Sequence, residues 1–204
     1  MPKDTLNVVV VGVGGMGVVT LARVMAESYA RKGGNALVAE THGLSQRGGS
    51  VVVHVRLGDV EAPLIPRGGG DVMLALEALE ALRYAELMRR GGVAVVARRV
   101  QPPPLPRVET PGLAEVLKAL SSSGLRVYDV DAYGQAAALG AASSANIYLL
   151  GYALGLGLLD GYLSVNDVEK VVSSMLGSRG RNVEVLKAGF RDGSILTQSS
   201  PAQP

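Results

Sequence analysis

The sequence predicts an α/β fold: a doubly wound, mostly parallel, Rossmann-like sheet with a helical C-terminal third. Three observations predict it. A β-branched run from Leu6 to Val11 stops at a glycine cluster, a helical-period segment follows, and a second strand-like run ends at Glu40. Short Val-rich runs then alternate with helical segments as far as Val130. Beyond that point the periodicity is helical only.

Leu6–Val11 reads as a buried strand. Val18–Lys32 places Val18, Leu21, Ala22, Met25 and Tyr29 near one helical face, and Gly33-Gly34 closes it. With Ala36–Glu40 as the next strand, these elements read as a βαβ unit with parallel strands. Thr41–Gly49 is a polar, glycine-containing loop, Ser50–Leu57 a strand and Gly58-Asp59 a turn. Pro63, Pro66 and Gly68–Gly70 make the next stretch irregular. Val72–Leu76 reads as a strand, Glu77–Arg90 as a helix and Val93–Ala97 as a strand. Five prolines between Gln101 and Gly112 exclude a regular helix, leaving a loop or an arm. Leu113–Leu120 is helical and Arg126–Val130 a strand; Asp131–Leu139 and Ala145–Leu158 are helical. Ser164 and Asp167 form a capping box for a helix to about Leu176. A last helix is expected over Asn182–Lys187. The organisation is therefore one domain over residues 1–190, with a flexible tail over 191–204.

Composition narrows the function. The 204 residues suffice for one real core, and no cysteine is present. That excludes disulfides, a thiolate zinc site, a cysteine nucleophile and an iron–sulfur cluster ligated by this chain. The only histidines are His42 and His54, so a multi-histidine metal site is excluded. His54, in an alternating strand, reads as a satisfied core or interface side chain. A net charge of +2, no Trp and a single Phe argue against nucleic acid as partner. Met-Pro-Lys-Asp leads directly into a strand run without the form of a signal peptide, so a cytoplasmic location is expected. Ala132–Leu159 carries no charge, but glycines, Asn146 and Gln135 interrupt it. It reads as a buried helix or interface where small residues admit another backbone, and no membrane association is expected.

Two constellations carry chemistry. Gly12, Gly14 and Gly17 fall in a G-x-G-x-x-G turn between strand and helix, with Gly15 beside them. Such a turn offers free N–H groups and the positive end of a helix to a phosphate. Glu40 stands 23 residues past Gly17, where a ribose-binding acid would stand in a nicotinamide enzyme. The second constellation is Glu40-Thr41-His42-Gly43-Leu44-Ser45-Gln46-Arg47-Gly48-Gly49-Ser50, at the sheet edge where doubly wound folds bind ligands. Its plain alternative is a polar surface loop with Arg47 paired to Glu40.

GVGGMG followed by ETHGLSQRGGSVVVHVRLG resembles the gamma-type subunit or domain of the 2-oxoacid:ferredoxin oxidoreductases, nearest the small subunits of its indolepyruvate branch. ANIYLLGYALGLGLL resembles a further helix of that family, and the likeness covers about residues 5 to 190. The resemblance implies oxidative decarboxylation of an arylpyruvate to an acyl-CoA, with electrons passed to ferredoxin. It implies that thiamine diphosphate and iron–sulfur clusters sit on a larger cysteine-rich partner in a hetero-oligomer, and that this chain alone holds no cofactor and is not active alone. Coenzyme A is a candidate ligand at the subunit interface. On this reading Glu40, His42 and Arg47 are the candidate catalytic residues. Gly12, Gly14, Gly15, Gly17, Ser45, Gln46, Gly48, Gly49 and Asn146 are the candidate cofactor-contacting residues. Met16 departs from the family's usual Gln, which removes an amide hydrogen-bonding group from the turn. A stand-alone NAD(P) oxidoreductase and a non-catalytic scaffold subunit are the alternatives.

Overall fold

Strand β1 (Thr5–Val13) lies inside a six-stranded sheet, because its apolar run can be satisfied only where both faces are covered. Val8 and Val10 meet one layer, Val9 and Val11 the other. The computed structural model describes residues 4–42, 49–102, 109–177 and 181–199, with His42 and Ser199 described by backbone alone. The elements after β1 are α1 (Val18–Ala30), β2 (Ala36–His42), β3 (Ser50–Gly58), β4 (Gly70–Ala75), α2 (Ala78–Arg83) and β5 (Met88–Ala97). They continue with α3 (Leu113–Ser122), β6 (Arg126–Val130), α4 (Ala132–Ala138), α5 (Ala145–Gly155), α6 (Val165–Met175) and α7 (Asn182–Ser199). Sheet order is β2-β3-β1-β4-β5-β6. One core layer contains side chains of α1, α5, α6 and α7; the other contains those of α2 and α3.

The first correction concerns the expected βαβ unit. β1 and β2 point the same way but are not neighbours: β3 lies between them, antiparallel to both. The reason is burial. Five consecutive residues of β3, Val51–Val55, are buried, whereas none of residues 36–41 of β2 is fully buried. The strand with apolar side chains on both faces takes the interior position, and β2 becomes the edge.

The second correction concerns Glu77–Arg90. Only Ala78–Arg83 is α-helical; Ala85–Leu87 makes a 3₁₀ turn, and Met88–Arg90 already belongs to β5. Met88 pairs with Gly70 across a register irregularity, and Arg89 Nε reaches Asp71 Oδ1 at 2.8 Å. These tertiary contacts override a local helical period. The third correction concerns the C-terminus. Residues 191–199, expected as the start of a flexible tail, continue α7.

The uncharged stretch finds its partner within the chain. Every residue of α5 is buried. Gly151 and Gly155 on α5 face Gly189 and Gly193 on α7 so closely that the backbones touch. A β-carbon at Gly151 would lie 2.2 Å from Leu186 O, and one at Gly189 would lie 2.2 Å from Tyr148 O. Tyr148 adds a hydroxyl bond to Asp192 across the same seam, and burial pushes its phenol pKa up. No helix among the described residues is long and apolar enough to cross a membrane.

His54 is a satisfied interior side chain: Ile65 N–H donates to its Nδ1 at 3.2 Å, and burial lowers its pKa. The folded state therefore disfavours its protonation. Its contribution is complete above the unfolded value of about 6.5 and is lost as pH falls below it, at up to about 1.4 kcal/mol per pH unit. Thermal melts from pH 7 to 5 should show wild type losing more stability than His54→Asn, whose amide oxygen can accept the same bond without titrating. Identical pH slopes would refute this assignment.

Candidate functional site

The carboxyl ends of β1, β4, β5 and β6 share one sheet edge, and β2 ends there too. Because β3 runs the other way, its beginning lies at the same edge. The glycine turn and the root of the second motif are therefore neighbours, and Gly14 N–H donates to Gly49 O at 2.9 Å. Val13 pairs with Ser50 immediately beside it.

Each end of the turn has a packing reason for glycine. A β-carbon at Gly12 would lie 2.9 Å from Val18 Cγ2 and 3.2 Å from Leu76 Cβ, so strand and helix approach closely there. Gly17 caps α1 with φ of 82°, a left-handed conformation that other residues enter at a cost of roughly 1–2 kcal/mol. Its carbonyl accepts Asn146 Nδ2–H at 3.1 Å, and a β-carbon at Gly17 would lie 2.5 Å from that nitrogen. Asn146 is buried, and its Oδ1 accepts from Ile147 N–H at 2.9 Å. The amide thus acts on the turn's backbone. Gly15 has open space about it. Met16 turns its Sδ back on the turn, where it accepts weakly from Val13 N–H at 3.5 Å.

The first turn of α1 carries no acidic residue, and Gly17 offers no side-chain cap. Such an end, with its dipole and free N–H groups, suits an anion. Around it lie residues the sequence did not single out. Glu77 is 1% exposed; its carboxylate accepts from Glu80 N–H and from Gln101 N–H, each at 2.8 Å. It thereby ties the start of α2 to the segment entering the proline-rich stretch. Tyr133 O–H donates to Leu76 O at 3.1 Å, and the Arg99 guanidinium lies 4.6 Å from the ring centroid. Burial raises the Tyr133 pKa while Arg99 opposes that rise, and the phenol stays a donor at neutral pH. The available signal was position: Glu77 and Arg99 both follow the ends of strand runs, at the edge where such sheets bind ligands. Asp131 caps α4 through Gly134 N–H at 2.9 Å, as its place before a helix predicts, while Asp129 pairs with Arg98 at 2.6 Å.

The structure brings Gly12, Gly14, Gly15, Gly17, Gly49 and Asn146 together. Ser45, Gln46, Arg47 and Gly48 lie outside the described residues, as does the side chain of His42. The backbone of His42 stands level with Gly12, since both pair with Val51. Glu40 pairs with Val53 and is level with Val10, two residues behind Gly12. With β3 interposed, Glu40 is two strand spacings from β1, about 10 Å, rather than the single spacing of about 5 Å that a ribose-binding acid needs. The spacing argument for a nicotinamide nucleotide therefore loses its geometry. No group of three or more His, Cys, Asp or Glu among the described residues could hold a metal ion.

Comparison with known proteins places this architecture. The chain is 40% identical over 194 residues to the indolepyruvate oxidoreductase subunit IorB of Archaeoglobus fulgidus, covering 91% of this chain and 94% of the relative. In fold it matches the gamma subunit of a keto/oxoacid ferredoxin oxidoreductase from Geobacter sulfurreducens, with a TM-score of 0.66, 23% identity, and coverage of 96% and 99%. It also matches a 2-oxoglutarate:ferredoxin oxidoreductase from Magnetococcus marinus solved with 2-oxoglutarate, coenzyme A and succinyl-CoA, at a TM-score of 0.68 and 21% identity. That match takes in 99% of this chain but spans 32% of the longer one. These relatives are oxidoreductases or subunits of them. The family model for pyruvate ferredoxin/flavodoxin oxidoreductase matches residues 7–191, and the chain belongs to that family.

Proposed function

We propose that this chain is the small, cluster-free subunit of a thiamine-diphosphate-dependent 2-oxoacid:ferredoxin oxidoreductase that converts indolepyruvate or a related arylpyruvate to an acyl-CoA. The observation that carries the reading is the 40% identity, over nearly the whole length, to a relative named as an indolepyruvate oxidoreductase subunit. In this reading a larger cysteine-rich subunit holds thiamine diphosphate and the clusters, ferredoxin accepts the electrons, and the complex works in the cytoplasm. Thiamine diphosphate supplies the carbanion chemistry of decarboxylation when bound to that partner. The chain's own composition supports the division of labour, since it has no thiolate to ligate iron.

The part left to this chain is binding and orientation at the sheet edge. The free N–H groups at the start of α1, beside the glycine turn, suit the phosphates of coenzyme A. Arg47 offers a planar fork to a carboxylate or phosphate, and His42 offers a hydrogen bond or a proton relay. Glu40 completes the candidate set as a carboxylate at the root of the same segment.

The test is co-expression with the larger subunit, followed by indolepyruvate- and CoA-dependent reduction of ferredoxin. Activity with an arylpyruvate supports the reading; a complex inert toward every 2-oxoacid overturns it. In the active complex, Arg47→Ala should lower kcat/KM roughly ten- to hundredfold, the scale of one charge-assisted hydrogen bond. The subunits should still co-purify. Unchanged turnover would remove Arg47 from the site.

A further inference from the structure

The near end of the glycine turn is held by Ser50, the last residue of the second motif, and by two side chains outside both motifs. Ser50 opens β3, and its hydroxyl donates to Glu80 Oε2 at 2.5 Å. With that single proton committed, the Tyr84 hydroxyl, 2.9 Å away, donates to Ser50 Oγ. Glu80 is 5% exposed, and its other carboxylate oxygen receives Arg83 Nε–H at 3.3 Å. The chain from Tyr84 through Ser50 to Glu80 is charge-assisted at its end, which strengthens both bonds. Ser50 is one peptide unit from the Gly49 carbonyl that receives Gly14 N–H, and its own backbone pairs with Val13.

Folding alone does not call for a carboxylate here. A buried carboxylate carries a desolvation cost that an apolar side chain of similar volume would not, and its paired cation, Arg83, is 60% exposed. We infer that Glu80, acting through Ser50, is a positioning residue that sets the glycine turn, and with it the free N–H groups at the start of α1, for an anionic ligand. For the identity of that ligand the inference rests on the reading above, in which coenzyme A meets the turn.

The experiment uses the co-expressed complex and two readouts: hydrogen exchange of the peptide containing Gly14, and KM for coenzyme A against kcat. Ser50→Ala and Glu80→Gln should speed exchange of the Gly14 amide about tenfold or more. Both should raise KM for coenzyme A about tenfold while kcat changes less than about threefold. Ser50→Thr, which keeps the hydroxyl, should stay near wild type on both. Wild-type exchange and KM in the first two variants overturn the inference, as does a Ser50→Thr variant that behaves like Ser50→Ala. A wild-type complex without 2-oxoacid activity would sink the functional reading instead, and the exchange comparison would still decide the positioning role.

Discussion

Gly151→Val should destabilise the chain by about 3 kcal/mol or more, at the top of the range for overpacked cores. The reason is that the obstacle is backbone. The first added carbon would lie 2.2 Å from Leu186 O and 3.0 Å from Phe190 N, and no rotamer change moves either atom. α5 and α7 would have to separate, opening the seam that buries Tyr148, Leu149 and Leu186. For a domain of this size the melting temperature should fall by roughly 6–12 °C. Gly189→Val meets Tyr148 O from the opposite side and should act similarly. The double variant should cost less than the sum, because helices already parted accommodate a second side chain. A Gly151→Val protein that melts with wild type would show that the seam is not tight.

The second large effect is at Gly17. Gly17→Ala combines a left-handed backbone with a β-carbon 2.5 Å from Asn146 Nδ2. The strain alone is about 1–2 kcal/mol, and displacing Asn146 releases the bond on the Gly17 carbonyl. Activity of the assembled complex should fall at least tenfold, since a turn displaced by about 1 Å can lose a factor of about a hundred. Asn146→Ala alone should lose less, because the turn keeps its glycines. Combining the two removes the clash but not the φ strain, so the pair should be non-additive by about 1 kcal/mol. Strict additivity in melting temperature and in kcat/KM would disprove the clamp.

Much of the fold was legible in the sequence because its strongest signals are local. A β-branched run ending at glycine, a helical period closed by Gly33-Gly34, and the Ser164–Asp167 capping box each need only neighbouring residues, and each forms as expected. What misled was the property that emerges only in three dimensions. The place of β3 between β1 and β2 depends on comparing the burial of two strands, and spacing along the chain does not register it. The Glu40 spacing looked suited to a nucleotide for the same reason. Leu79, Leu82 and Leu87 fit a helical period, yet Met88 is drawn into β5 by its partner Gly70. At the sheet edge, the glycine turn was readable because its chemistry lies in the backbone. Glu80 was not, because nothing in sequence links it to Ser50, 30 positions away.

The α5–α7 seam has a consequence for how the protein is made. A helix with eleven buried residues is synthesised well before the helix that supplies its glycine-lined cover. During translation the sheet and α1 can assemble while one face of α5 stays bare, and domains complete their packing only as the required segments emerge. The nascent chain therefore carries an adhesive, uncharged surface until α7 leaves the ribosome. Ribosome-bound chains with α7 still inside the exit tunnel should be the form that chaperones hold and proteases cut, and a linker long enough to carry α7 out of the tunnel should end both.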